Sequence, residues 1–121
     1  MNGWREQEAR NQALFREGNE RLEQVGESFG AGLASFVCEC GNLDCTQTID
    51  LSRREYERVR AHASRFVIAV NHENPETESV IEQTSRFAVV ETHAGAASRI
   101  ARALDPRSQR AIRLPSRSVP R

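Results

Sequence analysis

All three cysteines of this chain fall in one short stretch, Cys38-Glu39-Cys40-Gly41-Asn42-Leu43-Asp44-Cys45. The spacing C-x-C-x4-C constrains the fold more than any other feature, because three thiolates can converge on one soft metal ion only if the backbone turns sharply between them. Gly41 supplies such a turn and lets backbone amides point at the sulfurs. Zinc takes four ligands in a tetrahedron, so the fourth must come from elsewhere in the chain, from a partner or from water. An odd count of thiols cannot pair off internally as disulfides, and a disulfide framework is not expected.

Three histidines are candidates for the fourth position. His62 falls in the last turn of a short helix, where a charge–dipole role is common. His93 follows a hairpin, in a segment compatible with an exposed strand end. His72 lies in a loop just after an apolar strand, beside Glu73, where a rigid element delivers it and a carboxylate is near enough to orient its other nitrogen. The expected ligand set is therefore Cys38, Cys40, Cys45 and His72 around Zn(2+), with His93, His62 and water left open. Other readings of the cluster are buried small hydrophobes or a thiol-based metal or redox sensor. An iron–sulfur cluster normally needs four cysteines and is disfavoured.

Catalysis is the lesser reading. The chain has no P-loop, no dinucleotide-binding glycine pattern, no G-x-S-x-G and no H-E-x-x-H. Cys45 or Cys40 with His72 as base would make a thiol nucleophile, but clustered cysteines are more often ligands, and no oxyanion site is visible.

Around the cysteine turn the sequence predicts an α+β fold. Helix-favouring composition from Trp4 to Phe29 places Phe15, Leu22 and Phe29 seven apart with Val25 between them, an apolar stripe on one long amphipathic helix that Gly26, Gly30 and Gly32 end. Ser35-Phe36-Val37 and Thr46 to Leu51 read as a hairpin with the metal knuckle at its tip. Ser52 and Glu55 form a capping box that starts a helix from about Arg53 to Ala63, with Tyr56, Val59 and Ala63 on its apolar face. The uninterrupted run Phe66 to Val70 predicts a central strand covered on both faces. Val80-Ile81 and Phe87 to Val90 read as a second hairpin, and Ala94 to Leu104 as a last helix stopped by Asp105-Pro106.

The 121 residues suffice for one domain of ordinary size. Its expected parts are an N-terminal amphipathic helix (1–30), a zinc-binding α+β domain (31–105) and an Arg-rich flexible tail (106–121). Net charge is zero, yet Arg99, Arg102, Arg107, Arg110, Arg113, Arg117 and Arg121 face only Asp105 in the last segment. That asymmetry fits an anionic partner such as nucleic acid, or a solubilising end. The second is favoured because no aromatic residue interleaves those arginines to stack on bases. An unknown protein is the first expected partner. No apolar run is long enough to span a membrane, and the polar, acidic start lacks the apolar stretch of a secretory signal, so a cytoplasmic location is expected. Basic residues that are all Arg suggest a GC-rich bacterial source.

The segment Cys38-x-Cys40-Gly41-x3-Cys45 resembles the post-SET zinc motif of histone methyltransferases, which takes its fourth ligand from a distant segment. The likeness covers only the turn and implies a capacity to hold zinc, with no methyltransferase activity. More broadly, the chain resembles small, uncharacterised bacterial zinc-site proteins. The residues that carry this are the helix motif from Asn11 to Arg21, the Phe-Val-Cys-Glu-Cys segment from Phe36 to Cys40, a third cysteine, and His72-Glu73. The resemblance implies this architecture and ligand set and says little about function; the expected role, read from the chain itself, is an interaction or regulatory module.

Overall fold

A computed structural model describes residues 3–25 and 32–107. Its elements in chain order are α1 (Gly3–Val25), β1 (Ala34–Val37), β2 (Thr48–Leu51), α2 (Arg53–Arg60), β3 (Arg65–Ile68), β4 (Glu78–Gln83), β5 (Ala88–Thr92) and α3 (Ala96–Ala103). The fold is α+β, as the sequence predicts. β1 and β2 form one antiparallel hairpin, with Ala34 opposite Leu51 and Val37 opposite Thr48. The other three strands form a second antiparallel sheet in the order β3-β5-β4.

Local chemistry sets several of these elements. Ser52 Oγ accepts from the Glu55 amide while Glu55 Oε1 accepts from the Ser52 amide, so the capping box is complete. The helix that it starts ends at Arg60, before Ala63. β4 and β5 are joined through Thr84 to Phe87, whose turn is closed by the Thr84 amide donating to the Phe87 carbonyl at 2.8 Å. A bulge between Val80 and Glu82 interrupts their register.

The core lies between the two sheets and α2. Phe36 stacks on Tyr56 with ring centroids 4.6 Å apart, and Leu51, Phe66, Val67, Ile68, Phe87 and Val90 are buried around them. Phe66 to Ile68 are covered on both faces as expected, but the strand that holds them is not central. β5 takes that place, and β3 lies at the edge. The outer edge of β3 is masked by the cysteine turn: the Glu39 amide donates to the Val67 carbonyl at 2.9 Å, and the Val67 amide donates to Glu39 Oε1 at 3.0 Å. An edge strand capped in this way carries the continuous apolar pattern of an interior one.

The long helix departs furthest from its expected packing. Leu22 is exposed and Phe15 only half-buried, while Phe29 lies outside the described residues. The buried face of α1 is instead Ala9, Gln12, Ala13, Arg16, Asn19, Glu20 and Glu23. Burying that many polar groups is tolerable only where each finds a partner. Arg16 donates to the carbonyls of Ala63 at 2.6 Å and Ala101 at 2.7 Å, and its guanidinium lies 4.7 Å from the Phe66 ring centroid. Ala101 is in the last turn of α3, whose carbonyls have no partner within the helix. Glu20 accepts from Tyr56 Oη at 3.1 Å, from Arg60 Nε at 2.6 Å and from Arg107 Nε at 3.0 Å.

The same network fixes the end of the described chain. Arg60 Nη2 also pairs with Asp105, and Arg107 reaches both carboxylate oxygens of Glu57 at 2.8 and 2.7 Å. Pro106 and Arg107 are therefore anchored, where the sequence places the start of an unstructured tail; residues 108–121 of that tail lie outside the described residues. Among the described residues no helix is long and apolar enough to cross a membrane.

Candidate metal centre

The β1–β2 hairpin carries the cysteine turn at its tip. The Cys38 amide donates to the Gln47 carbonyl at 3.1 Å, which extends the ladder by one step beyond Val37. From there the chain turns at Gly41, whose φ of +85° is the left-handed conformation that glycine adopts without penalty. Asn42 closes the return: its carbonyl accepts from the Cys45 amide at 3.0 Å and its side chain from the Asp44 amide at 2.9 Å. Gly41 also has to be small. A Cβ there would lie 2.7 Å from Glu8 Cγ and 2.9 Å from Gln12 Cγ, because α1 packs directly on the turn, with Asn11 Nδ2 donating to the Gly41 carbonyl at 3.0 Å.

His72 arrives from the loop after β3. Asn71 takes a φ of 73°, a conformation that asparagine tolerates better than most residues, and the His72 amide donates back to the Ala69 carbonyl at 3.1 Å. This bend sets His72 Nδ1 3.5 Å from Cys38 Sγ and 3.6 Å from Cys45 Sγ. One ligand atom from each of Cys38, Cys40, Cys45 and His72 lies within 4.8 Å of all the others. The structure thus brings together the four residues that the sequence singles out, in an arrangement that can hold a metal ion. His62 and His93 are exposed and stand apart from the group. His93 Nε2 instead lies 2.9 Å from Ser79 Oγ.

The donors are prepared for a cation. Cys38 and Cys40 are buried, whereas Cys45 and His72 are partly exposed. The Ala69 amide donates to Cys38 Sγ at 3.1 Å, and the Asn42 amide donates to Cys40. A hydrogen bond from Cys38 does most to hold the Cys40 thiol down at about 4, helped by Asn42 and His72. The same hydrogen bond, together with burial, pushes Cys38 upward. The two thiols are thus coupled through one hydrogen bond, which favours the thiolate on Cys40 over Cys38.

Two residues that sequence reasoning missed hold the turn. Glu39, between two cysteines, is fully buried; besides the Val67 amide it accepts from Asn19 Nδ2 at 2.8 Å. Burial raises its carboxyl to about 6. Asn19 grips β1, donating to the Val37 carbonyl and accepting from the Val37 amide, both at 2.9 Å. Their signal in the sequence is the helical spacing of polar residues along α1 and an acid flanked by two cysteines.

Of the arginines expected to reach an anionic partner, Arg99 and Arg102 are exposed on α3, Arg107 is committed to Glu20 and Glu57, and Arg110, Arg113 and Arg117 lie outside the described residues.

Compared with protein-family models, with curated proteins and with solved structures, the chain matches none.

Proposed function

We propose that the chain is a zinc-binding domain in which Cys38, Cys40, Cys45 and His72 Nδ1 close a structural tetrahedral site, and that the domain serves as a cytoplasmic interaction or regulatory module. One observation carries the metal assignment. With Zn–S near 2.3 Å and Zn–N near 2.0–2.1 Å, a tetrahedral ion holds its sulfur and nitrogen ligands about 3.6 Å apart. The distances from His72 Nδ1 to Cys38 Sγ and to Cys45 Sγ are 3.5 and 3.6 Å, and Cys40 Sγ lies within 4.8 Å. Thiolate ligands select zinc over magnesium or calcium, and three sulfurs fall short of the usual iron–sulfur set.

Four protein ligands leave no open coordination position, which favours structure over catalysis. The ion would tie the tip of the β1–β2 hairpin to the loop after β3, and so join the two sheets. The interaction reading draws on exposed Leu14 and Leu104, which line one groove between α1 and the end of α3 with Arg10 and Glu17. A protein surface is the partner that such a mixed apolar and charged groove fits.

Cobalt substitution tests the site. Tetrahedral coordination by three sulfurs and one nitrogen gives intense visible d–d bands and a near-ultraviolet thiolate charge-transfer band, both displaced by one equivalent of zinc. Weak octahedral bands, or no thiolate band, would contradict it.

A further inference from the structure

The four ligands are unequal in a way that four purely structural ligands need not be. Cys38 is 3% exposed and Cys40 5%, and each sulfur already receives a backbone amide, from Ala69 and Asn42. Cys45 sits on the outer limb of the turn and is partly exposed, and its neighbours from Asn42 to Asp44 and from Thr46 to Thr48 are all exposed. An oxidant arriving from solvent therefore meets one sulfur before the other two. That sulfur has a thiol partner at hand, because Cys40 Sγ lies within 4.8 Å of Cys45 Sγ on the same turn.

We infer that Cys45 is a peroxide-reactive thiol and Cys40 its resolving partner, so that hydrogen peroxide releases the metal and converts the knuckle into a Cys40–Cys45 disulfide. This rests on the zinc-site reading above. In the first step the Cys45 thiolate attacks one peroxide oxygen; an S–O bond forms, the O–O bond breaks, and hydroxide leaves. In the second, the Cys40 thiolate attacks the Cys45 sulfur of the resulting sulfenic acid; an S–S bond forms, the S–O bond breaks, and a second hydroxide leaves. Two thiolates are thereby oxidised by two electrons in total, and the peroxide is reduced. The site loses two of its four ligands at once, and Cys38 and His72 alone do not hold zinc against competing chelators. Reduction of the disulfide returns both sulfurs to a turn whose shape Gly41 and Asn42 preserve.

The zinc-loaded full chain, treated with hydrogen peroxide beside a chromogenic zinc chelator, tests this. Zinc content measured before peroxide is added tests the site itself. A chain that holds zinc and keeps it on oxidation contradicts this inference alone. The expected result is about one zinc released per disulfide formed, with differential alkylation and mass spectrometry placing the first lost thiol at Cys45 and the bond at Cys40–Cys45, and with rebinding after dithiothreitol. In the variant Cys45→His, which keeps four zinc-type ligands, release should slow by roughly tenfold or more. Loss of Cys38 or Cys40 ahead of Cys45 in the wild-type chain, or release at an equal rate in a zinc-loaded variant, would overturn the proposal.

Discussion

Glu39 and Val67 exchange two hydrogen bonds, the Glu39 amide to the Val67 carbonyl at 2.9 Å and the Val67 amide to Glu39 Oε1 at 3.0 Å. The cysteine turn is thus seated on the edge of β3 by its own backbone and by the side chain between its first two sulfurs. Glu39→Ala would strand the Val67 amide and one of the two Asn19 Nδ2 hydrogens, the other keeping the Val37 carbonyl. A loss of roughly 2–4 kcal/mol is expected, since each unsatisfied buried group costs about 1–3 kcal/mol. Urea unfolding of the metal-loaded protein measures it, and a loss under about 1 kcal/mol would show that the edge is not held in this way.

Gly41 and Gly32 separate two costs that glycine can hide. Both have positive φ, +85° and +92°, but a Cβ on Gly32 meets open space, whereas one on Gly41 meets α1. Gly32→Ala is expected to cost about 1 kcal/mol from the backbone alone. Gly41→Ala should cost roughly 2–4 kcal/mol, because overpacking adds to the same strain. Equal losses in thermal unfolding would mean that α1 yields easily at the turn.

Arg60 and Arg107 share Glu20 from opposite degrees of burial, with side-chain exposures of 0% and 26%. Arg60→Ala leaves Glu20 and Asp105 buried without their main charge partner, and a loss of about 3–5 kcal/mol is expected. Arg107→Ala should cost about 1 kcal/mol, since solvent reaches Arg107 and its second partner Glu57 and screens the pair. Reversal of that order in chemical denaturation would contradict the network described for α1, α2 and the chain end.

What the sequence reveals and what it hides divide along chain distance. Ser52 and Glu55, the two hairpins and the Gly41 turn are local patterns, in which every group that decides the conformation lies within a few residues. The cysteine spacing likewise marks a site before any fold is known, and His72 follows from being delivered by the end of a strand. The face of α1 is different. Phe15 and Leu22 suggest an apolar stripe, but Arg16, Asn19 and Glu20 are buried because their partners Ala63, Ala101, Val37, Glu39, Tyr56 and Arg60 come from distant segments. No helical periodicity of hydrophobic residues can announce such partners. Strand order is hidden for a related reason: β3 reads as interior because Glu39 and Cys38 cover its edge, and that cover comes from another sheet's turn.

Glu78 makes stability depend on pH. Its carboxylate is buried, accepting from Gln12 Nε2 at 2.8 Å and the Asn74 amide at 2.9 Å, and burial raises its pKa to about 6 from the usual 4.5. A carboxyl raised on folding stabilises the native state fully below pH 4.5, and that contribution fades as pH climbs through 6. The expected loss is about 2 kcal/mol between those limits. Glu78→Gln removes the titration, so its stability relative to wild type should rise by that amount from about pH 4.5 to about pH 7. The comparison isolates Glu78, because the two proteins share every other group, and a constant difference would show that Glu78 does not titrate here.

Metal content of protein purified without added metal, by elemental mass spectrometry on the wild type and on His72→Ala, tests the ligand assignment most directly. About one zinc per chain in the wild type is expected, lost or much weakened in the variant, as four-ligand closure requires. No metal with three free thiols, or undiminished zinc in His72→Ala, would contradict it.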